Sequence, residues 1–327
     1  MSGKRIGIGL LGCGGIASYY HLPVLAAHPG ARVVAVADPA ETARSRAASL
    51  VPGIVAELDA HSVLERADVD AVVVCADTPR HAQLARAAAE AGKHLYLEKP
   101  LALTLPDACS VIEAVEAAGV SGTIGFNLRF HPLHRRAHSL LEEGALGQIR
   151  AVRAAFHEPA RRRRMPAWKR RRATGGGALL DLGSHSVDLL RWHLSTEVAD
   201  AAASLSSRAT EHDCARLRVT TVSGVEADLD CRIGVARTDV FEIVGESGTL
   251  RIDRYRGTLS LATETKSLKP FGARMRALVT RPRPEPSFRL ALGAWVERLL
   301  GEERTLPTLA DGFKSLEALL AAERTAG

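Results

Sequence analysis

Long apolar runs and paired cysteines are both missing from this sequence. No stretch approaches the roughly 20 consecutive apolar residues that a membrane-spanning helix needs. The five cysteines are odd in number and include no C-x-x-C pair, so neither structural disulfides nor a zinc cluster is expected. The basic start, residues 1–5, precedes an apolar run that glycines interrupt, and no secretory cleavage pattern stands out. We therefore expect a cytoplasmic protein.

A strong overall charge and internal repeats are missing as well. The formal net charge is +6 over 327 residues, and much of that excess comes from one segment, residues 161–172. Hydrophobic residues make up 46% of the chain and charged residues 24%, as in ordinary globular proteins, so disorder is not the expectation. A chain of this length suits two domains better than one core.

The first part of the chain alternates between apolar runs and helical patterns. Near-continuous apolar runs predict buried strands at 5–11, 32–37, 70–76 and 93–97. Helical patterns follow these strands at 15–28, 40–50, 80–91 and 106–118. This alternation is typical of β-α-β units that build a parallel sheet.

The second part of the chain changes to short consecutive strands. They are predicted at 149–157, 198–206, 214–222, 225–232, 239–245 and 248–253. Helices at 132–143, 177–194 and 288–301 are expected to cover one face of this antiparallel sheet, and residues 309–327 to form a helical tail. The predicted fold class is α/β, with a Rossmann-type parallel-sheet domain at 1–123 and an α+β domain with a large, mostly antiparallel sheet at 124–327.

A glycine-rich turn joins the first predicted strand to the helix that follows. In the pattern G-x-G-x-x-G/A, glycines allow a tight turn and let the backbone approach a pyrophosphate. The helix N-terminus then faces the phosphates with its free N–H groups. The next strand ends at Asp38, where a carboxylate accepts hydrogen bonds from a ribose diol. The turn consists of Gly12, Cys13, Gly14, Gly15, Ile16 and Ala17.

Two alternatives stay open for this turn. Glycine-rich turns between a strand and a helix also occur without a nucleotide, and Asp38-Pro39 is also a common turn pair. If a nucleotide binds, Asp38 repels a 2′-phosphate and favours NAD. NADP is the alternative, because Arg44 or Arg46 could reach that phosphate.

Six further motifs follow in a fixed order. They lie at Thr78–His81, Ala91–Ala102, Asn127–Pro132, Gly144–Ile149, Gly175–Asp188 and Phe241–Leu250. With the glycine-rich turn, they resemble the glucose–fructose oxidoreductase / inositol dehydrogenase / rhizopine-catabolism family. Each motif is short, but their order and spacing together make the resemblance specific, and it covers most of the chain.

The resemblance implies an enzyme with a Rossmann domain and a large antiparallel sheet domain. Members of the family transfer a hydride between NAD or NADP and a carbinol or carbonyl carbon of a sugar, a cyclitol or a related small molecule. They often assemble as homodimers or homotetramers through the open face of the second sheet. The expected partners are therefore a small-molecule substrate and further copies of the chain, with no nucleic acid and no membrane.

Three residues are expected to carry the chemistry. The resemblance places Lys99 of an E-K-P motif with Asp181 and His185 of a D-x-G-x-H motif at the reacting centre. Their types suit the reaction, since a neutral imidazole takes a hydroxyl proton and an ammonium stabilises negative charge on the oxygen. If 177–194 is one helix, Asp181 and His185 share a face at i and i+4. Asp181 would then orient the imidazole or bind substrate hydroxyls.

The expected cofactor-binding set extends beyond the glycine-rich turn. Plainer interpretations exist, because an Asp–His pair at helical spacing is commonly a surface pair, and His81 and Arg129 are equally open to structural roles. No metal is expected, since hydride transfer needs none and no second histidine lies at helical spacing beside Asp181 and His185. The set comprises Gly12, Cys13, Gly14, Gly15, Ile16, Ala17, Asp38, Thr78, His81, Glu98 and Lys99.

A basic segment, Arg161 to Arg172, lies within a predicted loop at 158–176. Some of its cations could contact an anionic substrate group such as a carboxylate or a phosphate. The alternative that we favour is a solvated, partly disordered loop, because like charges repel. No aromatic residues alternate with these cations, so nucleic-acid binding is not expected. A second predicted loop at 264–287 is rich in proline.

One functional alternative of another class stays open. Some members of the family have lost catalysis and act as cofactor-sensing regulators. That alternative predicts the loss of the lysine or the histidine, and both Lys99 and His185 are present. We therefore expect an NAD(P)-dependent dehydrogenase or reductase that acts on CH–OH groups.

Overall fold

The computed structural model describes residues 4–159, 165–263 and 285–326. The chain divides into two compact units, and each unit combines two separate stretches of chain. The first comprises Met1–Asn127 and Pro284–Phe313, and the second comprises Leu128–Arg283 and Lys314–Gly327. Most of the predicted loop at 264–287 lies outside the described residues, as do Arg161 to Arg164.

A six-stranded parallel sheet forms the centre of the first unit. Its order is β3-β2-β1-β4-β5-β6, and β1 and β4 are buried along their whole length, as strands covered on both faces are. The strand order reverses between β1 and β4, which is where such sheets bind ligands. The strands are β1 Ile6–Leu11, β2 Ala31–Ala37, β3 Val55–Glu57, β4 Ala71–Val74, β5 His94–Leu97 and β6 Gly122–Ile124.

Helices connect these strands. The first begins as a π-helical turn at Ala17–His21 and continues as α1, Leu22–Ala27. Pro23 lies in the first turn of α1 and donates no backbone hydrogen bond, which agrees with the irregular turn before it. The others are α2 Glu41–Leu50, α3 Ala60–Leu64, α4 His81–Glu90 and α5 Leu105–Ala117.

The helix α9, Pro286–Leu299, returns to the first unit. Its Leu292 and Trp295 are buried in the same apolar cluster as Leu22 and Leu25 of α1. The prediction that a helix at 288–301 covers the antiparallel sheet is therefore wrong. An apolar stripe indicates that one face of a helix is buried, but it does not identify the surface that buries it.

A seven-stranded sheet forms the centre of the second unit, in the order β13-β12-β11-β7-β10-β9-β8. The strands β7 and β10 pair in parallel, and the other five neighbouring pairs are antiparallel. The predicted fold class, a Rossmann-type sheet and a mostly antiparallel sheet, is confirmed. The strands are β7 Ile149–Glu158, β8 Val198–Ser206, β9 Cys214–Thr221, β10 Glu226–Ile233, β11 Thr238–Gly245, β12 Gly248–Asp253 and β13 Thr258–Thr263.

Three helices, α6 Pro132–Glu142, α7 Ala178–Asp181 and α8 Gly183–Leu194, pack against one face of this sheet. The single helix predicted at 177–194 is thus two helices, which meet at Leu182. The chain ends with α10, Leu309–Arg324. In the part of the chain that the structure describes, no helix combines the length and the apolar character needed to cross a bilayer.

Candidate functional site

The glycine-rich turn follows the C-terminal end of β1. Gly12 has a φ of +100°, and a Cβ there would lie 2.5 Å from the backbone nitrogen of Ala76, so a side chain does not fit. A Cβ at Gly14 would meet no described heavy atom within 4 Å. The Ser18 N–H donates to the Gly14 carbonyl oxygen at 3.0 Å, which starts the helical path. The turn therefore offers backbone N–H groups and an open cradle, which fit a pyrophosphate.

The apolar residues of the turn pack inwards. Cys13 and Ala17 are fully buried, and Ile16 packs against the core of the first unit. Burial raises the pKa of the Cys13 thiol to about 12, with a contribution from the negative charge of Asp38. Cys13 is therefore a neutral thiol that helps to shape the turn, and the exposed Gly14 and Gly15 form its open side.

Asp38 follows β2 and is bonded to the same turn. Its Oδ2 accepts the N–H of Cys13 at 2.7 Å, and its Oδ1 accepts the N–H of Ala40 at 2.8 Å. Arg44 donates from Nη1 to the Asp38 carbonyl oxygen at 2.6 Å. Because each carboxylate oxygen has two lone pairs, Asp38 can hold the turn and still accept hydrogen bonds from ribose hydroxyls.

A second carboxylate, Asp77, follows β4. Burial raises the pKa of Asp77, and the negative charge of Asp38 raises it further. The Asp38 and Asp77 carboxylates are thus close enough for the charge of one to affect the other. The sequence analysis missed Asp77. The feature that could have identified Asp77 is its position directly after a buried parallel strand, at the sheet edge where such sheets bind ligands.

The E-K-P turn after β5 is held by the side chain of its own glutamate. His21 Nε2 lies 2.8 Å from Glu98 Oε1, and the Lys99 N–H donates to Glu98 Oε2 at 3.3 Å. Burial raises the pKa of the Glu98 carboxyl, but the hydrogen bond and the charge of His21, together with the charge of Lys99, lower it overall. Glu98 thus links the helical turn Ala17–His21 to the turn that carries Lys99. Its expected contact with the cofactor stays a prediction.

His81 is bonded at both ring nitrogens to backbone carbonyl groups. Its Nδ1 lies 2.8 Å from the Pro100 oxygen and its Nε2 lies 3.0 Å from the Ala76 oxygen. Burial lowers the pKa of His81, and the two carbonyl groups oppose that effect. The ring therefore connects the end of β4 to the E-K-P turn, which favours the structural role among the two alternatives. Thr78, another expected cofactor residue, is buried beside it.

Asp181 and His185 lie in the second unit, on either side of Leu182. Since α7 ends at Asp181 and α8 begins at Gly183, the expected single helix is interrupted between the two residues at Leu182, and their shared face stays a prediction. Asp181 Oδ2 accepts a hydrogen bond from Lys169 Nζ at 2.9 Å. His185 is 9% exposed, and its ring centroid lies 6.0 Å from that of Phe156.

Arg129 and Asp188 form a two-pronged ion pair beside this site. The Arg129 Nε donates to both Asp188 oxygens, at 3.1 and 3.0 Å, and Asp188 is buried. The pair joins α8 to the 3-10 turn Asn127–Phe130, which favours the structural role for Arg129. Among the described residues, no group of three or more His, Cys, Asp or Glu could hold a metal ion.

Comparison with known protein families gives two matches along this chain. A family model described as "Oxidoreductase family, NAD-binding Rossmann fold" matches residues 6–126. A second, described as "GFO/IDH/MocA C-terminal domain", matches residues 134–251. The first match contains the glycine-rich turn and Lys99, and the second contains Asp181 and His185.

Individual relatives are dehydrogenases and reductases. Inositol 2-dehydrogenase 2 of Saccharopolyspora erythraea is 29% identical over 316 residues, 94% of this chain and 89% of the relative. The dTDP-3,4-didehydro-2,6-dideoxy-alpha-D-glucose 3-reductase of Streptomyces antibioticus is 31% identical over 260 residues, 78% of this chain and 77% of the relative. The solved structure of GenD2 from gentamicin A biosynthesis, in complex with NAD, has 26% identity and a TM-score of 0.84 over 100% of this chain and 95% of that chain.

Proposed function

This chain belongs to the GFO/IDH/MocA family of NAD-binding oxidoreductases, and we propose that it moves a hydride between the nicotinamide and a carbinol or carbonyl carbon of a sugar or cyclitol. One observation carries the proposal: the first unit has an open cradle for a dinucleotide beside Asp38, and the second has Asp181 and His185. The similarity to an inositol dehydrogenase and a sugar ketoreductase supports cyclitols and sugars as the substrate class.

We assign the chemistry to Lys99, Asp181 and His185. In alcohol oxidation, a ring nitrogen of His185 takes the hydroxyl proton as the C–H hydride leaves. The Lys99 ammonium donates a hydrogen bond to the same oxygen and stabilises its developing negative charge. Asp181 orients the imidazole or binds a neighbouring hydroxyl. When bound, the cofactor would supply the hydride acceptor, and reduction of a carbonyl would use the same side chains in reverse.

An absorbance assay tests the proposal. Purified protein is mixed with NAD or NADP and a panel of inositols, sugars, sugar acids and nucleotide sugars, and reduced nicotinamide is followed over time. We expect turnover with at least one cyclitol or sugar. Tight NADH binding without turnover of any compound would favour the alternative of a cofactor-sensing regulator, which the named relatives do not support.

We also propose that a second copy of the chain covers the open face of the seven-stranded sheet. A row of alternating charges crosses five neighbouring strands on that face, so a copy displaced by one strand meets opposite charges. The row consists of Arg218, Asp228, Arg153, Glu242 and Arg251. Light scattering should show a homodimer or homotetramer, and Arg153→Glu should weaken it. A monomeric wild type would contradict this.

An anionic substrate group is a further prediction. In the described part of the basic segment, Lys169 and Arg172 form ion pairs with carboxylates. Arg170 and Arg171 are both exposed to solvent. If these two arginines attract an anion, replacing both with serine should raise KM for a sugar acid far more than for its neutral analogue, and added salt should do the same. Equal KM changes would leave them as surface charge.

A further inference from the structure

The described part of the basic segment is a fixed turn. Two 3-10 turns, Ala167–Arg170 and Arg172–Thr174, follow one another. The Gly176 N–H donates to the Arg171 carbonyl oxygen at 2.9 Å, and a Cβ at Gly176 would lie 2.3 Å from the Lys169 carbonyl oxygen. Arg170 and Arg171 are exposed, as expected of a solvated loop, and residues 165–176 follow a path of hydrogen-bonded turns. The backbone that carries Lys169 has one defined path.

Two cations of this turn bind carboxylates from elsewhere in the second unit. The Arg172 guanidinium pairs with Glu323 of α10 through Nε and Nη2, and its backbone N–H donates to Glu211 at 2.9 Å. The Lys169 ammonium donates to Asp181 Oδ2 at 2.9 Å. The first pair ties the turn to a helix, whereas the second reaches a residue that we assign to the reaction.

The Lys169–Asp181 pair is partly sheltered from water. The side chain of Lys169 is 34% exposed and that of Asp181 is 21% exposed. Solvent therefore screens their attraction less than it screens a surface pair, and the ammonium favours the ionised carboxylate.

Asp181 lies at the junction of α7 and α8. It is the last residue of α7, a helix of four residues, and Leu182 separates it from α8. Lys169 reaches this carboxylate from a different element, a turn whose backbone is itself held by hydrogen bonds.

We propose that Lys169 is a positioning residue that keeps Asp181 ionised and oriented for its work with His185. The proposal rests on the proposed function, because it takes Asp181 as part of the reacting group. Lys169 acts through Asp181 and exchanges no proton with the substrate.

The experiment compares three variants of the full-length protein. Lys169→Met removes the charge but keeps the length of the side chain, and Lys169→Arg keeps the charge. Arg172→Met is the matched control, because it removes an ion pair from the same turn without touching Asp181. Two properties are measured against pH: kcat/KM with NAD and the best substrate, and the carboxyl carbon resonance of Asp181 by NMR. The second needs no activity.

We expect Lys169→Met to move the acid limb of kcat/KM and the Asp181 titration midpoint to higher pH, because the ion pair that favours the ionised carboxylate is removed. Lys169→Arg should return both to the wild-type position. Arg172→Met should lower the melting temperature and leave both unchanged. The same Asp181 midpoint in wild type and Lys169→Met would overturn the proposal, as would an equal displacement in Arg172→Met. A wild type that turns over no substrate would overturn the proposed function instead, and the NMR midpoint would still decide the role of Lys169.

Discussion

The proposed cofactor cradle of the first unit and the proposed acid–base pair of the second unit are built from different kinds of chemical group. The cradle is made of backbone, since Gly12 and Gly14 supply the turn, the space and the N–H groups. The proposed acid–base pair is made of side chains, and Asp181 accepts a hydrogen bond from Lys169 in another turn. Binding should therefore tolerate side-chain changes that stop turnover, and should be sensitive to changes that disturb the backbone of the cradle.

The largest expected effect comes from removing the acid–base groups. His185→Ala and Lys99→Met should each lower kcat on the order of a hundredfold or more, the usual scale for lost proton transfer or charge stabilisation. The NADH dissociation constant of His185→Ala, measured by fluorescence titration, should match that of the wild type. Near-normal kcat in either variant would remove that residue from the mechanism.

Gly12→Ala should instead weaken cofactor binding. Its φ of +100° and the 2.5 Å approach to Ala76 force the turn to move, so NADH affinity should fall by about tenfold or more, with a lower melting temperature. Gly53→Ala is the control, since Gly53 has a φ of +82° and no described heavy atom within 4 Å of a Cβ. It should lose some stability without losing affinity. Equal losses of affinity in both variants would show that the close approach at Gly12 is unimportant.

Lowering the pH should destabilise the second unit more than the first. Burial lowers the pKa of His193 and of His131 to about 3, and burial, followed by the charge of His193, lowers the pKa of His134 well below its usual value. The unfolded chain therefore takes up protons below about pH 6.5 that these folded rings do not accept. The folded state therefore loses stability as the pH falls from 6.5 towards 3, by about 2 kcal/mol at pH 5 for a ring such as His131 whose folded pKa is about 3.

The first unit should be less sensitive in that window. There the pKa of His81 is also lowered by burial, but the lowered pKa of Glu98 adds a contribution that is present above pH 4.5 and lost only below it. Two tryptophans report the difference by fluorescence: Trp192 stacks on His138 in the second unit, and Trp295 is buried in the first. The Trp192 signal should change at higher pH than the Trp295 signal. Coincident transitions would refute this.

The smallest expected effect concerns cofactor choice within the cradle. Asp38 follows β2, the position from which a carboxylate disfavours a 2′-phosphate, and Asp77 adds a second negative charge that senses Asp38, so kcat/KM should be higher with NAD than with NADP. Asp77→Asn should narrow that ratio by a few fold and Asp38→Asn by more. A clear NADP preference in the wild type would show that Arg44 overrides both carboxylates.

Local patterns in the sequence predicted most of the fold. The apolar run of β1, the glycines after it and the alternation along β9 and β10 each specify their own structure within a few residues. The strands β3 and β6 were missed because each has three residues, too few for a periodic signal. The strand β13 was missed because it leads into a stretch that resembles a loop.

Contacts between residues far apart in the chain could not be predicted from the sequence. The packing of α9 on α1 joins residues far apart in the chain, and an apolar stripe does not name its partner. The same limit applies to the site. The motif located Asp181 and His185, but the helix break at Leu182 and the lysine that holds Asp181 depend on tertiary structure. The basic segment contained that lysine, but nothing in the run distinguished it from its arginine neighbours.

The central claim is direct hydride transfer between a carbinol carbon and the nicotinamide. The most direct test uses the best substrate of the panel, deuterated at the carbinol carbon, with NAD and wild-type enzyme. Mass spectrometry of the cofactor should find one deuterium in the reduced nicotinamide for each substrate oxidised, and His185→Ala should give the same product far more slowly. Reduced cofactor without deuterium, or deuterium released to water, would contradict the account.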